Sequence, residues 1–412
     1  MATLSTDVCV VGAGPAGLAM ALLLARSGVD VVLAEKSTSF DRSFRGELLQ
    51  PGGQAVLDQL GVLEPARAWG SHAHERLQLH NHGRQVLVVD YGTLPGPYGR
   101  LLAIAQPNLL RELLAACRRQ PLFRYLEGHR VTDLLRTPQG VRGAVFAGPD
   151  GPVTVNSRCV IGADGRYSKT RQLAGIRYDR REAADFDLLW FRLPAPGGAP
   201  TALTVRGGGG RMLVSHGVHP DTVQLGWALP HGGYPEFAER PFERFRDELC
   251  RAAPEYADGV RTHLNSLADV SLLDVFTGTA RRWSRDGLLL LGDAAHTHGP
   301  LGAQGINLAL QDAVLAHPVL VAQLRTPGTD VVRAEALQPY IEPRTDDAHR
   351  VIRFQQSQAR SALGSGRPLA DAARRTATAL IGRTPLRHRL TRLLCYGNPR
   401  AQVRTDLFTT TT

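Results

Sequence analysis

The amino-acid sequence predicts an α/β fold: a parallel sheet flanked by helices, with an inserted antiparallel-sheet domain and helices at the C-terminal end. Three observations predict it. Residues 7–35 have the pattern of a strand, a glycine-rich turn, a helix and a second strand. Two later apolar strands, ending near residues 161 and 291, each lead into a small-residue turn that carries an aspartate. Between them, residues from about 183 to 279 contain several short strands separated by Gly and Pro.

Length and composition indicate an ordinary globular protein. The 412 residues suggest one large domain or two intertwined domains, and 43% hydrophobic with 21% charged residues excludes disordered and fibrous classes. The longest apolar stretch near the start, residues 17–25, is far shorter than the roughly 20 residues of a membrane span. We see no signal-peptide pattern, and we expect a cytoplasmic protein without a membrane span.

The net charge of +10 comes almost wholly from arginine, since Lys36 and Lys169 are the only lysines. Such a charge can attract anionic partners, or it can reflect a genome that favours arginine over lysine. No dense block of like charge stands out, so the second interpretation is favoured and we expect no nucleic-acid partner.

Cysteine and histidine patterns do not predict a metal site. The five cysteines are scattered without a CxxC pair, which favours isolated buried thiols. The histidines at 72, 74, 80 and 82 form two HxH pairs, but alternating strand residues share a face without binding a metal.

The first βαβ unit carries a dinucleotide-binding fingerprint. Gly12, Gly14 and Gly17 form a GxGxxG that also contains Ala16, directly after a strand and at the start of a helix. The first glycine permits the turn, the second lets the backbone approach a pyrophosphate, and the third lets helix and strand pack closely. The phosphates then lie at a helix N-terminus. Glu35, followed by Lys36, ends the second strand, where a carboxylate binds a ribose diol.

Two further segments place polar groups at the carboxyl ends of strands, where open α/β sheets bind ligands. Asp164 lies in the turn 162–168, and Asp293 lies in the turn 292–296. A glycine-rich segment, 300–308, then opens another helix. Either aspartate can instead simply cap the helix that follows it. His296 is expected to support its turn rather than to act as a base.

With these motifs in order, the chain resembles the single-component, class A FAD-dependent monooxygenases, the family of para-hydroxybenzoate hydroxylase and squalene monooxygenase. The resemblance covers most of residues 5–320, and it includes the GxGxxG, the segment 45–51, Gln106, and the GADG and GDAAH segments. It implies a Rossmann-like FAD-binding domain. The wording of residues 45–53 is closer to squalene monooxygenase than to the phenol hydroxylases, which hints at an apolar substrate.

The resemblance also implies roles for individual residues. Glu35 would bind the adenosine ribose, Asp164 would help to bind both FAD and NAD(P)H, and Asp293 would bind the ribityl chain. Pro300 and Gly302 would lie near the flavin ring. The full set of implied cofactor-binding residues is Gly12, Gly14, Ala16, Gly17, Glu35, Lys36, Arg45, Gln106, Asp164, Asp293, Pro300, Gly302, Gly305, Ile306 and Asn307. Arg45 can alternatively be a surface residue, and Gln106 can simply open its helix.

The implied activity is an NADH- or NADPH-dependent monooxygenation in specialised metabolism. A C4a-hydroperoxyflavin would transfer one atom of dioxygen to an aromatic, polycyclic or isoprenoid small molecule, by hydroxylation or epoxidation. The sequence identifies no catalytic base. Alternatives are a reductase related to the geranylgeranyl reductases and a non-catalytic FAD-binding partner protein. A halogenase is disfavoured because the chain has no WxWxIP segment.

The resemblance and the strand pattern together divide the chain into six segments. Residues 1–75, 101–182 and 280–330 are assigned to the FAD-binding domain. Residues 76–100 and 183–279 are assigned to the substrate-binding sheet, and residues 331–412 form the C-terminal helical region.

The middle sheet is expected to select the substrate. Its apolar and aromatic residues alternate, which suggests one face toward a pocket and one toward solvent. They include Phe186, Trp190, Phe191, Leu213, Leu225 and Trp227. Trp227 can equally be plain core. Near the C-terminus, arginines and leucines of residues 386–394 form a basic amphipathic segment, for which packing on the FAD domain is favoured over peripheral membrane contact.

Overall fold

The structure is a computed structural model that describes residues 2–41, 47–181, 186–208, 211–328, 330–363 and 386–409, without the side chains of 359–363 and 386–390. Its strands in chain order are β1 Ala2–Ser5, β2 Val8–Val11, β3 Val31–Glu35, β4 Leu48–Leu49, β5 Ser71–His74, β6 Arg76–Asn81, β7 Arg84–Asp90, β8 Leu101–Ile104, β9 Phe123–Glu127, β10 Arg130–Thr137, β11 Gly140–Gly148, β12 Gly151–Asn156, β13 Cys159–Gly162, β14 Tyr178–Arg181, β15 Phe186–Pro194, β16 Ala202–Gly208, β17 Arg211–Val218, β18 Thr222–Pro230, β19 Ser271–Leu273, β20 Thr277–Ala280, β21 Ser284–Arg285, β22 Leu288–Leu290 and β23 His296–Thr297. Its helices are α1 Pro15–Arg26, α2 Pro51–Gln59, α3 Leu63–Ala68, α4 Gln106–Arg118, α5 Lys169–Leu173, α6 Tyr234–Glu239, α7 Phe242–Ala252, α8 Ala257–His263, α9 Gly305–Arg325, α10 Gln338–Leu363 and α11 Leu386–Tyr396. Short 3-10 helices are Tyr91–Thr93, Pro254–Tyr256, Leu267–Asp269, Gly292–Ala294, Glu335–Leu337 and Thr405–Leu407.

The central sheet has six strands in the order β21-β22-β13-β2-β3-β9, all parallel except β21. Every residue of β2 and β13 is buried, as expected for apolar runs in a parallel sheet covered on both faces. Because β2, β13 and β22 are neighbours, the turns that follow them meet at one edge of the sheet. The fold therefore brings the three predicted motifs together.

Helix α1 spans Pro15–Arg26 and is the helix that the pattern of residues 7–35 predicts. Proline suits the first turn because that position has no helical partner for an N–H, and the alanines and leucines that follow are almost all buried. Gly28, with φ +79°, ends the helix in the left-handed region. The helix packs against α4 and α9, so its N-terminus is held at the sheet edge.

The inserted domain is a seven-stranded sheet in the order β19-β15-β18-β17-β16-β6-β7. Its pairs are antiparallel, as predicted, except that β16 pairs with β6 in parallel. Strands from residues 76–90 thus join those from residues 186–273 in one sheet. Two three-stranded sheets, β4-β8-β5 and β14-β20-β23, and a four-stranded sheet, β1-β12-β11-β10, are also present.

The two faces of the seven-stranded sheet have different partners. On one face, Phe186 and Trp190 join a core that includes Leu301 of the loop before α9 and Cys395 of α11. On the other face, Phe191 and Trp227 pack with Phe245 of α7. Leu213 and Leu225 belong to this second core.

The expectation that the second face meets solvent is therefore wrong. Helices α7 and α8 cover it, and Trp227 is only 4% exposed. Alternation along a strand shows which residues share a face, but it does not show what covers that face. Both faces of this sheet are apolar because each packs against other parts of the protein. Trp227 is core, one of the two roles that its sequence context allows.

Helix α9 is long and apolar enough, by length and composition, to cross a membrane, and 72% of its most apolar window is buried inside the protein. A core helix of a globular protein meets the same criteria, so this is weak evidence for a span. The expected isolated thiols are confirmed: all five cysteines are free and buried. Burial raises the pKa of the Cys117, Cys159 and Cys395 thiols to about 12.

The C-terminal region packs on the rest of the chain through two helices. Helix α10 lies against α9 and strands β6 and β16. Helix α11 lies against α2, where the Tyr396 carbonyl is so close to Gly52 that an added Cβ would meet its oxygen at 2.3 Å. In the amphipathic segment, Leu394 packs in the core around Leu301, whereas Leu393 is exposed. The side chains of residues 386–390 in this segment lie outside the described residues.

Candidate functional site

The glycine turn after β2 has the geometry that a pyrophosphate requires. Gly12 has φ +105°, and a Cβ there would meet the Ala163 carbonyl oxygen at 2.6 Å. A Cβ on Gly17 would meet the Gly12 oxygen at 2.0 Å. Gly14, in contrast, has open space around the position of a Cβ. Two glycines therefore permit close packing, and the third leaves room for a ligand at the N-terminus of α1.

Glu35 connects the end of β3 to this turn. Its Oε2 accepts a hydrogen bond from Ala13 N at 2.8 Å, and its Oε1 accepts one from Ser37 N at 3.0 Å. The carboxylate is buried beside the glycine turn. Lys36, the next residue, is exposed.

Asp164 forms hydrogen bonds within its own turn. It accepts from the Ser168 hydroxyl at 2.5 Å and from Thr170 N at 2.9 Å. These bonds fix the start of α5. Asp164 therefore has the helix-capping role that the sequence allowed as an alternative. Arg171 of α5 then donates to the Ala294 carbonyl at 2.8 Å, so the GADG segment is tied to the GDAAH segment.

Asp293 lies in the 3-10 turn that follows β22. Its carboxylate is 3.6 Å from Arg166 Nε and 3.9 Å from His298 Nε2, and the side chain is 30% exposed. Gly292 has φ +58°, and Ala16 of α1 lies 3.2 Å from the position of a Cβ there. Ala16 thus limits how closely α1 and the Asp293 turn can approach each other.

The loop before α9 is held through its backbone carbonyls. Gln50 Nε2 donates to the Gly302 carbonyl at 2.9 Å, and Asn307 Nδ2 donates to the Ala303 carbonyl at 2.8 Å. Asn307 Oδ1 accepts from Gln50 N at 2.9 Å, which ties the segment before α2 to this loop. From the opposite side, Gln355 of α10 donates to the carbonyls of Gly299 and Leu301 at 2.8 and 2.7 Å.

These residues fit FAD. Helices α1 and α9 begin at the same edge of the central sheet, and in the described residues no side chain caps either N-terminus. Free N–H groups and the helix dipole favour a pyrophosphate at the N-terminus of α1 and an electron-rich ring at the N-terminus of α9. Asp293, partly exposed between them, can accept hydroxyl hydrogen bonds. Together these groups form an extended cradle for a dinucleotide.

The remaining predicted residues are placed as follows. Gln106 is the first residue of α4 and is half-buried, and Gly305 and Ile306 form the first turn of α9. Pro300 lies in the loop that Gln355 and Gln50 hold, and Gly302 there has φ +78°. Arg45 lies outside the described residues.

A polar row lies on the Leu301 side of the seven-stranded sheet, the cofactor-side face, with Gln224 and His216 buried and Arg192 exposed. Arg192, Gln224 and His216 are neighbours across β15, β18 and β17. Arg192 Nε donates to Gln224 Oε1 at 3.0 Å, and its guanidinium also pairs with the buried Glu47. The ring centroid of His216 lies 6.3 Å from that of Trp190 and 5.8 Å from that of His74.

Burial favours the neutral form of His216 and of its neighbour His74. Burial lowers the pKa of His216 to about 4 and that of His74 to about 3. His74 is fully buried, and among the described residues its Nε2 has no hydrogen-bond partner. The ring centroid of His72 lies 5.0 Å from that of His74, and His72 Nε2 donates to the Pro200 carbonyl at 2.9 Å.

A different trio, Asp187, His231 and Asp274, brings potential metal-ligand atoms within 4.8 Å of one another. Asp187 already accepts from Gly232 N and Val275 N at 2.9 and 3.1 Å. Asp274 is occupied by Tyr167 and by both terminal nitrogens of Arg180. These donors satisfy the hydrogen-bonding capacity and the charge of the two carboxylates without an ion, so we assign no metal site here.

The cradle at the sheet edge and the separate sheet beside it define a flavin-dependent oxidoreductase. The chain belongs to the FAD binding domain family, whose model matches residues 5–355. It is 51% identical over 403 residues to 6-methylpretetramide 4-monooxygenase of Streptomyces rimosus, covering 98% of this chain and 95% of that protein. It is 32% identical over 338 residues to protoasukamycin 4-monooxygenase of Streptomyces nodosus subsp. asukaensis, covering 76% of this chain and 79% of that protein.

The fold is also that of a solved structure. PqsL, a probable FAD-dependent monooxygenase from Pseudomonas aeruginosa, superposes with a TM-score of 0.77 at 22% identity, over 92% of this chain and 100% of that one. The resemblance to class A monooxygenases and the α/β fold are thereby confirmed. The protein is an FAD-dependent monooxygenase.

Several residues that shape the site were not predicted. Arg171, Gln50 and Gln355 hold the cofactor-side segments, and Asp312 with Arg344 form a buried ion pair behind them. One sequence signal was available for Asp312, because a lone acidic residue inside the apolar run 305–325 has to find a buried partner. The others lack a local pattern.

Proposed function

We propose that this enzyme uses NAD(P)H and dioxygen to hydroxylate a ring of a linear polycyclic aromatic substrate of the 6-methylpretetramide type. The observation that carries the proposal is the 51% identity, over nearly the whole of both chains, to an enzyme named for that compound. Hydroxylation is favoured over epoxidation because both relatives are named as 4-monooxygenases, which assigns the added oxygen to a single position, whereas an epoxide oxygen bridges two.

The proposed cofactor contacts follow from the cradle. The turn at Gly12, Gly14 and Gly17 would hold the pyrophosphate, Glu35 the adenosine ribose, and Asp293 the ribityl chain. The loop with Pro300 and Gly302, and the first turn of α9 at Gly305, Ile306 and Asn307, would lie along the flavin ring. Arg45, Gln106 and Lys36 remain in the proposed set, and Asp164 would act mainly by fixing its turn. When bound, FAD supplies electron transfer and dioxygen activation.

The proposed substrate wall is the cofactor-side face of the seven-stranded sheet. Trp190 offers an indole surface for an aromatic ring, and His216 and Arg192 offer hydrogen bonds to phenolic and keto oxygens. Glu47 holds Arg192 by an ion pair, so the guanidinium is oriented before the substrate binds. This wall orients the ring and excludes water, which limits release of peroxide.

The domain division stays part of the proposal. Residues 76–100 and 183–279 would form the substrate domain, in keeping with the pairing of β6 with β16. The burial of α9 supports a cytoplasmic enzyme without a membrane span, and the packing of α11 on α2 supports a structural role for that helix rather than a membrane contact.

The test is a reaction with labelled dioxygen. Purified enzyme, NADH or NADPH and 6-methylpretetramide are incubated under ¹⁸O₂, and the product is examined by mass spectrometry. We expect one labelled oxygen per product and one NAD(P)H consumed. A product that has gained hydrogen instead of oxygen would support the reductase alternative, and the absence of any turnover with polycyclic aromatic compounds would contradict the substrate class.

A further inference from the structure

A buried ion cluster lies directly behind the Asp293 turn. Asp312 of α9 is fully buried, and its Oδ2 accepts hydrogen bonds from Gly292 N at 2.7 Å and from His296 Nε2 at 2.8 Å. The carboxylate therefore contacts both ends of the turn that presents Asp293. Trp283 stacks on the His296 ring at 4.8 Å and closes the cluster on its other side.

The partner of Asp312 comes from the C-terminal region. Arg344 of α10 is 1% exposed, and its Nε donates to Asp312 Oδ1 at 2.6 Å. The same guanidinium donates to the Leu308 carbonyl at 3.0 Å and to Gln311 Oε1 at 3.3 Å. These contacts fix Arg344 on the first turns of α9, the helix that begins at the cofactor-side loop.

The charges of this pair support each other. Burial alone would raise the pKa of Asp312, but His296 and Arg344 outweigh it and lower the pKa to about 2. Burial would likewise lower the pKa of Arg344, and Asp312 raises it. An ionised carboxylate is the stronger acceptor for Gly292 N, so the arginine strengthens the bond that fixes the turn.

The turn itself has little freedom to compensate. Gly292 is in the left-handed region and lies against Ala16 of α1. A displacement of Gly292 would therefore change both the position of Asp293 and the spacing to the phosphate-binding helix.

We propose that Arg344 is a positioning residue for the cofactor: through Asp312 it fixes the turn 292–296, and thereby Asp293, in the conformation that binds FAD. The inference rests on the proposed role of Asp293 as an FAD ligand. It assigns to the C-terminal region, beyond the glycine motifs, a direct part in building the cofactor site.

The experiment measures FAD affinity of the full-length apoprotein by fluorescence titration. Arg344→Lys keeps the charge but cannot reproduce the contacts to Asp312, Leu308 and Gln311 together. We expect its Kd for FAD to rise at least tenfold. The matched control is Arg353→Lys on the same helix, because Arg353 is exposed. Its Kd should stay within twofold of the wild-type value.

A second variant separates positioning from folding. Asp312→Asn has nearly the same volume, and it should raise the Kd by a similar factor. In the double variant Asp312→Asn/Arg344→Lys the two increases in Kd should not add, because both substitutions disrupt the same contacts from Arg344 through Asp312 to the turn. Circular dichroism of each apoprotein establishes that it is folded, and the visible spectrum of bound FAD reports the changed flavin environment.

Two outcomes would overturn the proposal. One is a wild-type Kd in both single variants, and the other is fully additive effects in the double variant. Asp293→Ala is measured in parallel. If this variant also binds FAD normally, the proposed role of Asp293 fails, whereas normal binding by the Arg344 and Asp312 variants alone contradicts only the positioning role.

Discussion

Gly226 of β18 carries no side chain because the indole of Trp190 occupies the adjacent space. A Cβ at this position would lie 2.7 Å from the ring. The strand conformation itself accepts any residue, since the backbone here is not in the left-handed region. The absence of a side chain at Gly226 therefore leaves the space that the Trp190 indole occupies in the proposed substrate wall.

Gly226→Ala should displace Trp190 and disturb substrate binding. We expect a several-fold higher KM and more peroxide released per NAD(P)H, with normal FAD content, because the cradle lies on other elements. Steady-state kinetics and a peroxide assay check this. Gly197→Ala, at a site with open space for a Cβ, is the control. Unchanged coupling in Gly226→Ala would remove Trp190 from the proposed wall.

His216 makes the stability of the protein depend on pH. In the unfolded chain its pKa is near 6.5, whereas burial lowers it to about 4 in the fold. Below pH 6.5 the unfolded state binds the proton first, so stability present at neutral pH is lost as the pH falls toward 4. From pH 7 to pH 5 this amounts to about 2 kcal/mol.

His216→Gln should therefore reduce the loss of unfolding free energy between pH 7 and pH 5 by about that amount. Urea unfolding at the two pH values measures it. The exposed His263→Gln should keep the wild-type difference. An identical pH dependence in wild type and His216→Gln would show that this histidine is not kept neutral by burial.

At the scale of elements, helix α10 reaches the cofactor-side loop through Gln355. Its amide donates to the Gly299 and Leu301 carbonyls, on either side of Pro300. Gln355→Leu keeps the apolar packing but leaves two buried carbonyls unpaired, at about 1–3 kcal/mol each. We expect a more mobile loop, an altered flavin spectrum and increased peroxide release.

The neighbouring Gln356→Leu is the control for this helix, because Gln356 is partly exposed. It should behave as wild type in the same spectral and peroxide assays. A wild-type spectrum and full coupling in Gln355→Leu would mean that Gln50 and Asn307 alone hold the loop.

Which elements could be predicted from the sequence depended on how local their causes are. The Gly12 turn, α1 and Glu35 follow from residues within one βαβ unit, so their spacing alone identifies them. Arg344 and Gln355 act across the fold, and nothing in the sequence near them names Asp312 or Gly299 as partners. Alternation in β15 and β18 indicated two faces. Only the position of α7 in the fold shows which face is covered by helices and which one can form the proposed substrate wall.

At the scale of the whole molecule, the proposed substrate wall would make one face of the seven-stranded sheet serve specificity and the other face serve stability. Trp227 and Phe191 pack under α7, away from the cofactor side. Trp227→Ala should cost about 3–5 kcal/mol of unfolding free energy and leave the KM of the folded enzyme unchanged. Trp190→Ala should raise the KM and the peroxide release. Thermal unfolding and kinetics on both variants test this, and a KM effect from Trp227→Ala would contradict the division of faces.

The support that α10 gives to the cofactor site has a consequence for biosynthesis of the protein. The glycine turn is synthesised long before Arg344 and Gln355. A nascent chain therefore carries an FAD fingerprint long before it has the residues that fix the Asp293 turn and the Pro300 loop. If Arg344 positions the Asp293 turn as proposed, stable capture of FAD waits until α10 has been synthesised, and translation products that end before α10 would leave FAD in the cellular pool.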